Sequence, residues 1–328
     1  MQFKNLSLTD EIIKEAFNLK DTRGWKLPLA RRKLSEDKNW DTYYQKILYR
    51  PFDIRHIYYT ENMVDWGRPE IMRHMLEENI SICFMRQYSG SMAYSHYIVS
   101  EHMVDNRTFF SSKGIILQAP LYIYPNEQNK NLFNHSKTEK EPNIEQLVFK
   151  KLEENYKRIP TPEEILYYIY GIFYSNIYRE TYAEFLKIDF PRVPFTANDN
   201  LFSEMGKLGK KLTDLHLLKS PLLDIPIARY QGEGDNDRIE KIDCQESEQR
   251  IYINNEKYFE GISPEVWNYY IGGYQVLQKY LKDRKGRILE DAPHYCRIVT
   301  AIQKTIETQK QIDTLYPEIE KNMITFYK

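Results

Sequence analysis

A chain of 328 residues, 41% hydrophobic and 28% charged with only 13 glycines, has the make-up of a folded protein of one large or two moderate domains, which excludes a fibrous repeat or a disordered tail. A formal net charge of −1 excludes a strongly basic nucleic-acid binder, and three widely spaced cysteines, Cys83, Cys244 and Cys296, exclude a disulfide framework or a CxxC zinc site. No apolar run approaches the roughly 18 residues of a membrane-spanning helix and the N-terminus has no signal-peptide core, so the expected location is the cytoplasm with its thiols reduced.

Charge is unevenly distributed. Residues 20–38 hold seven Lys and Arg against three acids, and 279–297 hold six against three, whereas 233–248 hold seven acids against two bases. Separated patches of this kind suit either a basic groove on a neutral protein or ordinary solvated faces. The 27 tyrosines likewise suit either a tyrosine-rich core or rings that stack on bases.

Taken in chain order, residues 1–47 read as helices, with Pro28 opening the second and Asn39 the third, forming a connector from an upstream domain. LYRPFDIRHIYY at 48–59 is apolar and aromatic and carries Arg50, Asp53 and Arg55, and Pro51 argues against a central strand. In VDWGRPEIMRHML, Pro69 is placed as a first helical residue between Arg68 and Arg73. From Ile80 to Tyr124 the period shortens toward two, with turn-like QYSGS and DNR, so a small antiparallel β-rich part is expected. Polar residues 126–142 form a loop and the expected domain boundary, ending a β-rich part over 48–142.

A helical scaffold follows over 143–221. Thr161, Pro162 and Glu164 supply an N-cap, a first-turn proline and a capping-box acid. Beyond them Leu166, Ile169, Tyr170, Phe173, Ile177, Tyr182, Phe185 and Leu186 recur mostly at three and four, with a break near Ser175, as two helices in a hairpin ended by Pro191 and Pro194. A third helix over 198–219 carries Leu201, Met205, Leu208, Leu212, Leu215 and Leu218 as a packing stripe. Short strands fill 222–262. The last part, 263–328, starts at a Ser263-Pro264 cap, continues as a helix containing Gly272 and Gly273, and ends in a long helix from about Ala292 past Ile312.

Catalytic signatures are missing. There is no NPPY-type acceptor, no GxxxxGK phosphate loop, and the only GxG, Gly232-Glu233-Gly234, lies in an acidic turn. Asp243, Glu246 and Glu248 lack the spacing of a nuclease centre, and His96 and His102, near Ser95, Ser100 and Glu101, have no nucleophile turn. No catalytic or metal-ligating residues are assigned.

YxYGxFxSxxYRExYAEFLKxDFPRxP at 168–194, RPFDxR at 50–55, RPxxMxHML at 68–76 and GGYQVLxKxLKDRKGR at 272–287 resemble the C-terminal specificity region of type ISP restriction-modification enzymes and related single-chain restriction-methyltransferases. The blocks extend from about Trp25 to about Asp313. The resemblance implies an α+β fold, a β-rich target recognition part packed on a helical scaffold with a long C-terminal helix. It implies recognition of a short, asymmetric double-stranded DNA sequence, positioned for an adenine methyltransferase. Methyltransferase, helicase and nuclease domains would lie upstream, and S-adenosylmethionine, Mg and ATP would belong to them, with no cofactor in this chain. Whether this chain is itself part of an active methyltransferase or nuclease, or a protein-interaction module without DNA binding, stays open.

Loop-borne Arg86, Gln87, Tyr88, Ser91, His96, Asn106, Arg107 and Lys113 are candidate base readers, since arginine suits guanine and glutamine or asparagine suits adenine. Arg50, Arg55, Arg68 and Arg73 lie in family blocks and suit phosphate contact or internal salt bridges. Tyr280, Lys282, Arg284, Lys285 and Arg287 either grip the DNA backbone or serve the C-terminal dipole of a helix.

Overall fold

The computed structural model describes residues 2–65, 67–125 and 139–326. At the N-terminus, α1 (Asp10–Phe17) is capped by Thr9, whose hydroxyl accepts from Ile12 N, and α2 (Leu27–Glu36) carries proline in its first turn. The buried guanidinium of Arg31 knits this segment together. It donates to the carbonyls of Phe3, Asn5 and Leu8 and pairs with Asp10. No helix begins at Asn39. The alternating burial of YQKILYR puts it in β1 (Tyr44–Arg50), which pairs antiparallel with β2 (Asp53–Tyr58). Pro51 sits in the turn between them, and Phe52 takes φ 64° there.

A short α3 (Pro69–Met72) starts at the expected proline. Next, β3 (Ser81–Met85) is flanked antiparallel by β4 (Tyr97–Ser100) and β6 (Ile116–Pro120), while β5 (Met103–Val104) runs parallel to β1. β3 and β4 are buried almost throughout because other elements cover both faces. β7 (Tyr122–Ile123) pairs with β8 (Glu141–Pro142). Most of the polar boundary loop, residues 126–138, lies outside the described residues.

The scaffold comprises α4 (Gln146–Tyr156), α5 (Pro162–Tyr174), α6 (Asn176–Thr181), α7 (Ala183–Leu186) and α8 (Asp199–His216). The Thr161–Glu164 capping box opens α5. The break at Ser175 is built deliberately: its hydroxyl accepts from Tyr178 N to cap α6 and donates to Asp313 at 2.8 Å. Gly209 lets α8 approach α5, since a Cβ there would lie 1.8 Å from the Tyr167 carbonyl oxygen. Met205, Leu212 and Leu215 of the leucine-rich stripe are fully buried. Tyr97 stacks on Phe173 at 4.2 Å and Tyr174 donates to the Tyr97 carbonyl, which fixes α5 against β4.

A four-stranded antiparallel sheet follows in the order β10 (Asp243–Gln245), β11 (Arg250–Tyr252), β12 (Lys257–Glu260), β9 (Arg229–Gly232). The expected continuous helix after Ser263 is instead α9 (Pro264–Trp267), a hairpin of β13 (Tyr270–Ile271) and β14 (Tyr274–Gln275), and α10 (Val276–Lys282). Gly272 and Gly273, at φ 59° and 78°, make its two-residue turn, a backbone shape that disfavours side chains with a Cβ. The last helix, α11 (Ala292–Glu320), joins two apolar cores. Its first half packs with β9–β12, α9 and α10, and Ile312, Tyr316 and Ile319 pack with α4–α8. The three cysteines are free, and among the described residues no helix is long and apolar enough to cross a membrane.

Candidate nucleic-acid interface

Three loops meet at one end of the β-rich part: the β3–β4 loop, the β5–β6 loop and the β13–β14 turn. The segment 105–114 is pinned from below. Asp105 N and the Thr108 hydroxyl donate to the Leu48 carbonyl at 3.0 and 2.7 Å. Ser111, buried, donates its hydroxyl to the Gln87 carbonyl and accepts from Gly114 N. Phe110 N donates to the Gly272 carbonyl at 2.7 Å, and Gly272 N donates to that of Ser95 at 2.8 Å. These bonds leave Arg86, Gln87, Asn106, Arg107, Phe110 and Lys113 exposed on loops held by internal hydrogen bonds. Arg107 is steadied further by donating to the Ser111 carbonyl at 2.8 Å.

An alternation of arginine and tyrosine runs on from the loops. The Tyr274 hydroxyl donates to the Arg107 carbonyl, and the Arg50 guanidinium lies 5.4 Å from the Tyr274 ring. Arg50 and Arg55 approach the Tyr49 ring at 3.8 and 3.7 Å, distances two planar guanidinium groups can share only on opposite faces. Arg50 also pairs with Asp105 at 3.1 Å. Arg55 and Arg284 then share the buried carboxylate of Asp53, at 2.8 and 2.7 Å, and Arg284 covers the Tyr280 ring at 3.6 Å. Burial alone would raise the Asp53 pKa, but hydrogen bonds from Arg284 and Arg55 outweigh it and hold the carboxyl below its usual value. With Arg287 these arginines line a concavity of about 540 Å³, rimmed by Glu290 and Asp291.

The structure therefore gathers most of the sequence-selected residues, and separates others. Arg68 is exposed across a shallow depression from Asn106. Lys282, Lys285 and Arg287 are exposed around the end of α10. Tyr88 and His96 are corrections: both are buried, so neither side chain reaches a base edge in this structure. Their rings pack at 4.3 Å, and His96 Nε2 donates to the Phe110 carbonyl. Burial pushes the His96 pKa down to about 4, leaving a neutral ring that holds the loop. Tyr280, also buried, supports Arg284. Arg73 stands away from the loops and donates to the Tyr124 carbonyl at 2.8 Å. Tyr49, Phe110 and Tyr274 belong to the face and were not singled out, because an aromatic beside apolar neighbours looks the same in sequence whether it is core or displayed. Among the described residues no cluster of three His, Cys, Asp or Glu side chains could hold a metal ion.

Fold and site define an α+β domain whose rigid loops present a basic and aromatic face. The family model for the Type ISP C-terminal specificity domain matches residues 3–314, and the chain belongs to that family. No curated protein sequence matches it. Among solved structures it is similar to the ATP-dependent Type ISP restriction-modification enzyme LlaBIII bound to DNA, with TM-score 0.67 and 22% identity over 96% of this chain and 21% of that one. It is similar to a nuclease-deletion mutant of the Type ISP enzyme LlaGI in complex with a DNA substrate mimic, with TM-score 0.60 and 17% identity over 88% and 26%. The cryo-EM structure of a DrdV–DNA complex gives TM-score 0.65 and 19% identity over 97% and 32%. The chain thus spans between a fifth and a third of the proteins whose fold it shares.

Proposed function

We propose that this chain reads a short, asymmetric duplex DNA sequence as the specificity part of a cytoplasmic restriction-modification enzyme. It would hold the duplex for an adenine methyltransferase carried elsewhere, with helicase and nuclease domains also outside this chain. S-adenosylmethionine, Mg and ATP would serve those domains. The observation that carries the reading is the three-loop face, where exposed Arg86, Gln87, Asn106, Arg107 and Lys113 project from a backbone fixed by buried hydrogen bonds. Rigid mounting of donor-rich side chains is what base-edge readout requires. Family membership and the DNA carried by the structural neighbours support the same reading.

The roles divide by mobility. Arg50, Arg55 and Arg284 are immobilised by carboxylates and rings, which suits them to a fixed phosphate contact. Arg68, Lys282, Lys285 and Arg287 are exposed and would extend the backbone contact. Fluorescence anisotropy with a randomised duplex pool, at about 50 and 200 mM salt, tests the proposal. Salt-sensitive binding with enrichment of one short motif is the expected result. Absence of binding at the lower salt would defeat it.

A further inference from the structure

Phe110 is the anomaly of the interface. Its neighbours Phe109 and Ser111 are buried, yet its own ring is 55% exposed. The backbone on both sides of that ring is clamped: its N donates to the Gly272 carbonyl at 2.7 Å, and its carbonyl accepts from buried His96 at 3.1 Å. A ring left out by a floppy loop would need no such foundation. The positive-φ turn at Gly272 and Gly273 is shaped around this position, since a Cβ on Gly272 would lie 2.0 Å from the Phe109 ring, and one on Gly273 would lie 3.1 Å from the Phe110 carbonyl oxygen.

The ring's surroundings indicate what it meets. Tyr274 packs beside it at 5.9 Å in a tilted arrangement, and Phe110 still keeps more than half of its surface in solvent. Arg107 and Lys113 flank it on the same loop, both exposed. Another exposed aromatic of the region, Phe190, differs: it packs on Phe84 at 6.0 Å and lies under the Arg86 guanidinium at 5.1 Å. An apolar ring held rigidly among cations suits a ligand that joins phosphates to flat aromatic groups.

We infer that Phe110 is a specificity-determining residue, whose ring makes the apolar contact with a base of the DNA target beside the base-reading Arg107 and Lys113, while Arg50, Arg55 and Arg284 hold the phosphates. The inference rests on the DNA-recognition reading and adds to it the residue through which base identity is sensed without a hydrogen bond. Removing the ring should therefore cost discrimination and leave the electrostatic attraction untouched.

The test uses the full 328-residue chain. Wild type and Phe110→Ala are each used to select from a randomised duplex pool, then titrated against the selected site and an unrelated duplex over a salt series. For Phe110→Ala the expected result is a loss of about tenfold or more on the selected site. Affinity for the unrelated duplex and the salt slope should be unchanged, and preference should flatten at one or two adjacent positions. Phe110→Trp should restore the preference. Phe110→Leu, which keeps apolar bulk over Tyr274, serves as the second variant should alanine lower the melting temperature, and it is expected to flatten the same positions. Selection of an unaltered motif at unaltered affinity by the alanine variant, or equal weakening on every duplex, would overturn the inference while leaving DNA recognition standing. A wild-type chain that binds no duplex would overturn that reading and the inference together.

Discussion

Asp53 and Arg284, 231 residues apart, are joined by two hydrogen bonds of 2.7 and 3.1 Å that tie the first hairpin to the end of α10. Asp53 is almost fully buried and takes Arg55 as well, so one carboxylate organises two of the cations facing the concavity. Asp53→Asn would leave two guanidinium groups without their anion. The expected cost is about 2 kcal/mol, below that of a fully buried pair because both arginines keep part of their surface in solvent. The pH dependence has a definite sign. The folded carboxyl has its pKa below the ordinary 3.8, so its contribution is complete above that value and disappears only as pH falls further. Denaturant titrations of wild type and variant should therefore differ by a constant amount between pH 5 and 8, on the order of the figure above. A gap that closes within that range would refute the pairing.

Gly272→Ala should be among the more damaging single-methyl changes in the chain. It meets a φ of 59° and the Phe109 ring at once. Strain of about 1–3 kcal/mol is expected, with the Phe110 loop displaced as its amide loses the Gly272 carbonyl. Thermal denaturation reads the first effect and duplex selection the second. A variant as stable and as selective as wild type would show that the turn does not set the loop.

Local chemistry was legible in the sequence and distant pairing was not. The Thr161–Glu164 capping box and the Ser175 break lie within a few residues of their partners, and their side chains state the structure directly. The strands over 229–260 show as short β-rich runs between turns. The stretch around Gly272 misled because apolar residues on either side fit a helical period, while the backbone sign that makes the turn leaves no trace in that period. β1 was missed for a similar reason: what makes Tyr44–Arg50 a strand is its register with β2. His96 reads as a loop residue beside polar Ser95, and it is buried by rings that the fold brings over it, Tyr88, Tyr94 and Phe109. The stack of Arg50, Tyr49 and Arg55 and the shared Asp53 likewise join residues whose meeting is decided by the tertiary fold.

Buried His96 and His216 should make the chain acid-sensitive. Burial pushes the pKa of His96 down to about 4 and that of His216 to about 3, with the Arg179 charge adding to both shifts. The unfolded chain takes up these protons below about pH 6.5, while the folded chain resists them. Stability is thus fully present above that pH and is lost as pH falls toward the folded values. At pH 5 each histidine should cost about 2 kcal/mol relative to pH 7.5. His96→Gln, whose amide can donate to the same Phe110 carbonyl without titrating, should remove one share of that slope. Urea unfolding at the two pH values measures it, and an unchanged slope in the variant would mean that His96 is not the proton acceptor.

Arg73 and Arg107 share a residue type and differ in place, which separates fold from binding. Arg107 is exposed on the interface loop, whereas Arg73 is half-buried and donates to the Tyr124 carbonyl away from it. Arg107→Ala and Lys113→Ala each remove a charge that lies against the duplex, so each should reduce the slope of log affinity against log salt by up to about 0.9, the share of one released counterion, and weaken the selected site more than an unrelated duplex. Arg73→Ala should leave that slope untouched and cost about 1 kcal/mol of stability through the lost hydrogen bond. Anisotropy over a salt series and denaturant titration, run on all three variants, check both halves. A salt slope that falls for Arg73→Ala and not for Arg107→Ala would move the DNA-facing surface away from the three loops and toward the α3 side of the molecule, because electrostatic attraction follows the charges that approach phosphate and ignores those satisfied within the fold.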